Sequence, residues 1–288
     1  DWSSDVCSSD LDISRAIMSS LLRNIAVFLK RHRRGLIETG QFLVFAAVVA
    51  VVLGIGTSRL RYDWQWFRVP RYLLRLTDEG LEVGLLLQGL GMTLRISGVS
   101  LQFAATFGLV TALFRLSRSY TANLLAQVYL EAVRNTPLLI QLFFVYFVIA
   151  PIVQIPPFYS AVLALSLFEG AYASEIIRGA IISIPSSQWE SAYSLGLSSS
   201  DAYRFVVLPQ AFRRILPPLT GQAVSLVKDS ALVSTIAIYD LTMRGSALVA
   251  ETFLTFEIWF TVAAIYLILN GVLSVFSHIL ESKLEVSQ

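Results

Sequence analysis

The chain has 288 residues, of which 55% are hydrophobic and 15% charged, with a mean hydropathy of +0.66 and a formal net charge of +2. That composition excludes a soluble domain of this length, which would need far more polar side chains to cover its core, and it predicts an all-α, polytopic membrane protein. A single cysteine, Cys7, excludes a disulfide framework or a thiolate zinc site, His32 and His278 are too few for a histidine metal centre, and no cofactor or nucleic-acid partner is expected.

In chain order, Asp1 to Leu11 reads DWSSDVCSSDL. It repeats the tripeptide SSD and is neither apolar nor basic, so it cannot act as a signal peptide. It reads like translated sequencing-adaptor sequence or a disordered natural tail, and is set aside from the fold. Residues 12–87 are read as an N-terminal extension. Within it, Gln41 to about Ser58 is an apolar run behind the basic stretch Lys30, Arg31, His32, Arg33 and Arg34, which predicts a first transmembrane helix with its N-terminus inside. The Arg-, Trp- and Tyr-rich residues from Arg59 to Gly80 predict an outer-surface segment with parts lying in the membrane interface.

Five more spans are expected, at Ile96–Phe114, Pro137–Val153, Tyr159–Ile182, Ile215–Ile238 and Phe256–Leu280. Six transmembrane helices put both termini in the cytoplasm. The larger share of Arg and Lys then lies inside, although Arg59, Arg61, Arg68, Arg71, Arg75 and Arg244 lie outside. Between the fourth and fifth expected spans, Ser183 to Arg214 is a polar, serine-rich loop. Pro185 with Ser186 or Ser187 can start a helix that Gly196 stops, and a second helix from Ser200 to Val207 ends before Pro209. By itself, such a pair suits an amphipathic element resting on lipid headgroups.

The loop also carries the spacing E-x-A-x-x-x-G, nine residues, then V-x-L-P, formed by Glu190, Ala192, Gly196, Val206, Leu208 and Pro209. It resembles the EAA loop of ABC-importer membrane subunits, with Ser191 replacing the usual alanine and Val206 the usual isoleucine. The stretches GMTLRIS (Gly91–Ser97), VRNTPLLIQLFFVYF (Val133–Phe147), EGAYASEIIRGAI (Glu169–Ile181) and LPQAFRRILPPLTGQAVSLVKDSALVS (Leu208–Ser234) resemble the polar amino-acid branch of those permeases. The resemblance implies a five-helix type I importer core over 88–284, preceded by one additional helix, in a bacterial cytoplasmic membrane. It also implies a separate ABC ATPase subunit gripping the loop, a solute-binding protein outside, and a second permease subunit, identical or homologous. In that role Glu190 offers a charge to a basic groove, Ala192 and Leu195 the apolar contact, Gly196 an abrupt helix exit, and Pro209 a stiff return. No G-x-x-x-x-G-K-[ST] occurs, so ATP and Mg would be held by the partner and the chain is not itself an enzyme.

Charges inside a bilayer cost on the order of 2.5–3.5 kcal/mol on insertion scales, so each calls for a partner or a role. Gln222, Ser225 and Asp229 fall on one helical face, whose amide, hydroxyl and carboxylate suit a zwitterion stripped of water. Lys228 lies about 100° around the helix from Asp229, and the two charges can equally stitch helices together. Glu169 has Leu165 and Ala173 rather than a cation one turn away, and either lines the pathway or makes a buried interhelical hydrogen bond. Glu175 with Arg178, and Glu131 with Arg134, have the spacing of local pairs. Thr136 can cap a helix at Pro137, and Gln141 is a candidate pathway residue. A polar L-amino acid, with glutamine or glutamate as candidates, is the expected substrate. A secondary transporter leaves the loop unexplained, and an intramembrane enzyme lacks any H-E-x-x-H or G-x-S-x-G.

Overall fold

A computed structural model describes residues 39–49, 51–52, 54–56, 62–77 and 80–285. Asp1 to Leu11 and the basic stretch Lys30 to Arg34 lie outside the described residues. The chain divides into two compact units, up to Trp64 and from Gln65 onward. In the first, α1 spans Thr39–Gly56 and presents the exposed apolar side chains Phe42, Val44, Phe45 and Val52. Its 18 residues give a helix about 27 Å long, enough to cross most of a hydrocarbon core.

The second unit opens on the Arg- and Trp-rich segment, which has structure of its own. A 3-10 turn over Trp66–Arg68 leads into α2, Pro70–Leu73, and then into a hairpin of β1, Leu74–Thr77, and β2, Gly80–Val83, with Leu74 opposite Val83. This two-stranded hairpin is the one departure from an all-helical fold among the described residues. The segment is tied down rather than loose: the Gln65 backbone N–H donates to Glu257 at 2.7 Å, and Tyr72 and Leu73 pack on Leu86, Leu241 and Leu254.

The helical body is built on α3, Leu85–Leu116, and α7, Pro157–Ile182. Small residues bring their axes together. A Cβ added at Gly108 would sit 2.7 Å from the Ala173 Cβ, so only glycine permits this approach, and Ala104, Gly170 and Ser174 continue the same seam. Around it pack α4, Tyr120–Arg134; α5, Leu138–Phe143; α6, Ala150–Val153; α10, Leu208–Asp229; α11, Leu241–Thr252; and α12, Thr255–Glu285. Leu267, Ile268, Val272 and Phe276 of α12 stay exposed, as a lipid-facing helix requires. Among the described residues, four helices are long and apolar enough to cross a membrane, and up to six spans result if each of two bent pairs counts as one.

Those bent pairs are where the expected boundaries fail. The apolar run Pro137–Val153 is not a straight span: α5 turns 107° from α4, a helix that the sequence reading left out, and passes through a π-helical stretch, Phe144–Ile149, before α6. α4 does carry a signal, with buried Ala126, Leu130 and Val133 at i, i+4 and i+7 behind the Ser119 cap, but at 15 residues it is too short for a bilayer criterion. Likewise the span expected at Ile215–Ile238 begins at Leu208 and gives way after Asp229 to a 3-10 stretch, Ser230–Ile236. The chain then turns at Ala237 (φ 59°) and restarts as α11, bent 47° from the preceding helix and capped by the Asp240 carboxylate on the Met243 N–H at 2.8 Å. Pro217 and Pro218 lie inside α10.

Candidate functional site

The loop after α7 folds as expected in outline. α8 spans Ser186–Ser194 and ends in a Schellman motif: the Gly196 N–H donates to Tyr193 O at 2.9 Å and the Leu197 N–H to Ala192 O at 3.1 Å, with Gly196 at φ +78°. Neither Ser186 nor Ser187 caps its start. Pro185 occupies the N-cap position with no side-chain cap, and its fixed φ orders the first turn instead. The second loop helix does not stop before Pro209. Ser198 caps α9, Ser199–Asp201, and the chain runs through a π-helical stretch, Ala202–Val207, straight into α10. A widened turn there relieves the clash that the Pro209 ring would make with the preceding carbonyl, so Pro209 is absorbed into the helix.

One face of α8 holds the loop to the body and the other is open. Trp189 meets the Tyr203 ring edge-on at 4.7 Å and packs beside Ile181, Ile184 and Val207. Ala192 is 2% exposed, buried within the chain, so the apolar contact expected of it for another subunit is spent internally. Glu190, Gly196 and Pro209 are exposed, and Leu195 is 82% exposed, a large apolar side chain in open solvent at the helix tip. Behind the loop, Arg214 donates to Ser183 O at 2.7 Å and to its Oγ at 2.8 Å, placing a cation at the C-terminus of α7. This tie from α10 was not foreseen, although a basic residue near the loop end was its signal.

The polar residues of the body separate into two groups on α7. Near the loop, Glu175 pairs with Arg178 at 2.8 Å, the spacing expected, and also with Arg115 of α3 at 3.3 Å. Six residues earlier, Glu169 is 1% exposed; Gln222 of α10 donates its amide to Glu169 Oε2, while Oε1 has no hydrogen-bond partner among the described residues. Asp229 lies within electrostatic reach of Glu169 and of Lys228. The face carrying Gln222 and Asp229 is therefore turned toward α7, with Ser225 half-buried between them, whereas the Lys228 side chain is exposed. Buried Ser97, Ser100 and Ser166 extend the polar strip, with Ser166 Oγ donating to Ser100 O at 3.2 Å across the α3–α7 contact.

At the α4–α5 elbow the expected roles change. Thr136 does not cap the following helix but donates back to Ala132 O at 2.8 Å. Gln141, expected in a pathway, donates to Val133 O at 2.7 Å and to Thr136 O at 3.0 Å, closing the carbonyls left free at the end of α4. Glu131 accepts from Asn135 at 2.7 Å instead of pairing with Arg134.

Comparisons with known proteins agree with this architecture. Residues 104–286 match the family described as binding-protein-dependent transport system inner membrane component. The chain is 35% identical over 232 residues to a glutamine transport system permease protein of Escherichia coli, covering 79% of this chain and all of that one. It is 38% identical over 199 residues to an L-cystine transport system permease protein of Bacillus subtilis, covering 68% of this chain and 85% of that protein. Among solved structures it resembles an amino acid ABC transporter crystallised with histidines, at 35% identity and a TM-score of 0.66 over 69% of this chain and 94% of that one. An inward-facing methionine ABC transporter, 20% identical with a TM-score of 0.61, shares the fold. A membrane-spanning helical body, an exposed E-x-A-x-x-x-G helix and a match over most of the chain lead to one assignment: the protein belongs to the family of binding-protein-dependent transport system inner membrane components.

Proposed function

We propose that this protein is the membrane-spanning permease subunit of an ATP-driven importer of polar L-amino acids. Residues 88–284 form the translocation domain and 12–87 an N-terminal extension. Both termini lie in the cytoplasm, two permease subunits enclose one pathway, a separate ATPase grips the loop, and a solute-binding protein delivers cargo outside. The observation that carries this reading is the open face of α8, where exposed Glu190 and Leu195 stand beside a helix end fixed by Gly196. A rigid, protruding polar helix with one large apolar tip suits a groove on another protein better than it suits lipid, because its apolar face is already buried inward. ATP-driven closure of that groove would move α8, and Arg214 and Trp189 would pass the motion to α7 and α10.

The choice of substrate is supported by Glu169, Gln222 and Asp229. A buried carboxylate with one unoccupied acceptor, beside a second carboxylate and an amide, suits the ammonium of an amino acid, with Lys228 and Ser225 available to its carboxylate. Permeases 35% identical for glutamine and 38% identical for cystine make polar amino acids the first candidates, glutamine and glutamate among them.

The test is to purify the chain with its ATPase, reconstitute both in liposomes, and screen amino acids for ATP-dependent accumulation. Gly196→Asp forces a branched side chain into a left-handed position at a cost of about 1 kcal/mol, so the melting temperature should fall by only roughly 2–4 °C while uptake is lost. Normal uptake in that variant, or cross-links from Leu195→Cys that find only lipid, would overturn the coupling role.

A further inference from the structure

The turn and short helix ahead of α3 lie across one end of the helical body. Tyr72 and Leu73 of α2 pack on Leu86, Leu241 and Leu254, which begin α3, begin α11 and precede α12, and the Gly84 N–H donates to Leu73 O at 2.8 Å. The opposite end of α3 is at the polar loop, where Leu116 packs with Ile177, Ile181 and Val207. At a rise of 1.5 Å per residue, Leu86 and Leu116 stand roughly 45 Å apart, the thickness of a bilayer with its headgroups. α2 therefore sits at headgroup depth, on the membrane face away from the loop.

Two kinds of side chain meet on this ledge. Trp66, Phe67, Trp259 and Phe260 are exposed, Phe67 at 80%, and the Trp66 ring lies 6.4 Å from that of Phe260 in the second turn of α12. Beside them two arginines are held in place. Arg68 donates to Gln65 Oε1 at 2.8 Å, and Arg71 Nε donates to Arg68 O at 3.1 Å with its guanidinium 5.6 Å from the centre of the Tyr72 ring. Each bond takes one N–H and leaves the rest of the guanidinium fork, and neither arginine makes an ion pair among the described residues. The acids of this end are engaged otherwise: Glu257 is buried and accepts from the Gln65 backbone N–H, Asp240 caps α11, and Glu82 lies opposite Arg75 across the hairpin.

Exposed aromatic rings beside cations at this depth suit the boundary between acyl chains and headgroups. Trp259 and Phe260 belong to a membrane-crossing helix, and Trp66 continues their surface, so lipid covers the patch more readily than a soluble protein does. Two guanidiniums without a carboxylate favour a headgroup of net negative charge over a zwitterionic one. We propose that this ledge binds an anionic phospholipid of the leaflet away from the loop, its phosphodiester held by Arg68 and Arg71 and its acyl chains lying on Trp66, Phe67 and Phe260.

The test presents the full chain, purified in a neutral detergent, with equal amounts of phosphatidylglycerol and phosphatidylcholine, and reads the retained lipids by native mass spectrometry. Phosphatidylglycerol should be retained in preference, and Arg68→Gln with Arg71→Gln should lower that preference by roughly tenfold or more. Because Arg68→Gln also releases Gln65, Arg71→Gln is measured alone and should show part of the loss. Arg75→Gln, at the position facing Glu82, should leave the preference unchanged. Inorganic phosphate in excess should not displace the lipid, since it brings no acyl chains. In native membranes, p-benzoylphenylalanine in place of Phe67 should attach to lipid on illumination. The proposal is overturned if the unaltered chain shows no preference, if both arginine variants keep it, if phosphate displaces the lipid, or if the Phe67 photoprobe attaches to another protein. None of these readings involves transport, so their failure leaves the importer reading standing, and a chain without ATP-dependent uptake can still bind the lipid.

Discussion

Glu169 and Glu175 lie on the same helix, two turns apart, and have opposite surroundings. Glu175 is partly exposed near the loop and held by two guanidiniums from α3 and α7. Glu169 is buried at mid-span with a neutral amide from α10 on one oxygen, no hydrogen-bond partner within bonding distance of the other among the described residues, and the Asp229 carboxylate within interaction reach. Helix packing needs a charge like the first, because it joins α3 to α7 and remains near water. It gains little from the second, since a buried carboxylate without a cation costs free energy that an apolar residue would not. Substitutions at the two ends of this segment should therefore differ in kind as well as in size.

The largest effect is expected at the buried end. Glu169→Leu leaves the Gln222 amide without its acceptor and removes the open oxygen. A hydrogen bond to a charged group is worth roughly 1.5–3 kcal/mol, so apparent affinity for substrate in a substrate-stimulated ATPase assay should fall by about ten- to a hundredfold. An unchanged affinity would make Glu169 a structural residue like Glu175. Gln222→Leu should follow, because it strands a buried carboxylate oxygen. A destabilisation of about 1–3 kcal/mol is expected, visible in the melting temperature, together with weaker stimulation by substrate. Asp229→Asn keeps the size and removes a like charge within reach of Glu169. A several-fold change in apparent affinity, with little change in melting, separates a pathway role from helix stitching, which would leave affinity unaltered. The smallest effect belongs to Glu175→Gln. Its partners are about a quarter exposed, so the loss should be within about 1 kcal/mol, a shift of roughly 2–4 °C in melting with uptake preserved. A collapse of uptake in that variant would erase the contrast between the two carboxylates.

Much of the loop was legible because its signals are local. Gly196 at a helix exit and, just before the loop on α7, the Glu175–Arg178 pair depend on residues only a few positions apart, whereas the second loop helix starts behind a Ser198 cap and not at the expected Ser200. The roles misread were those set by what lies across the fold. Ala192 was expected to face a partner, yet it is buried within the chain, and nothing within α8 alone states which side is inward. Thr136 and Gln141 carry the residue types of a cap and a pathway, and both close the end of α4 instead, because the break they serve is invisible until the 107° bend is seen.

By itself the sequence determined that this is a helical membrane protein with long apolar helices at α3, α7 and α12, and that a patterned polar loop follows α7. Such features follow from hydropathy summed over many consecutive residues, and that sum is insensitive to neighbours. Only the tertiary structure decided that α4 and α11 are separate short helices at bends, that Gln65 is tied to Glu257, and that Gln222 meets Glu169 across 53 positions. In each case the physical reason is the same. A helix shorter than a bilayer, or a polar group buried within one, is stabilised by contacts from elsewhere in the chain, and those contacts exist only once the helices are packed.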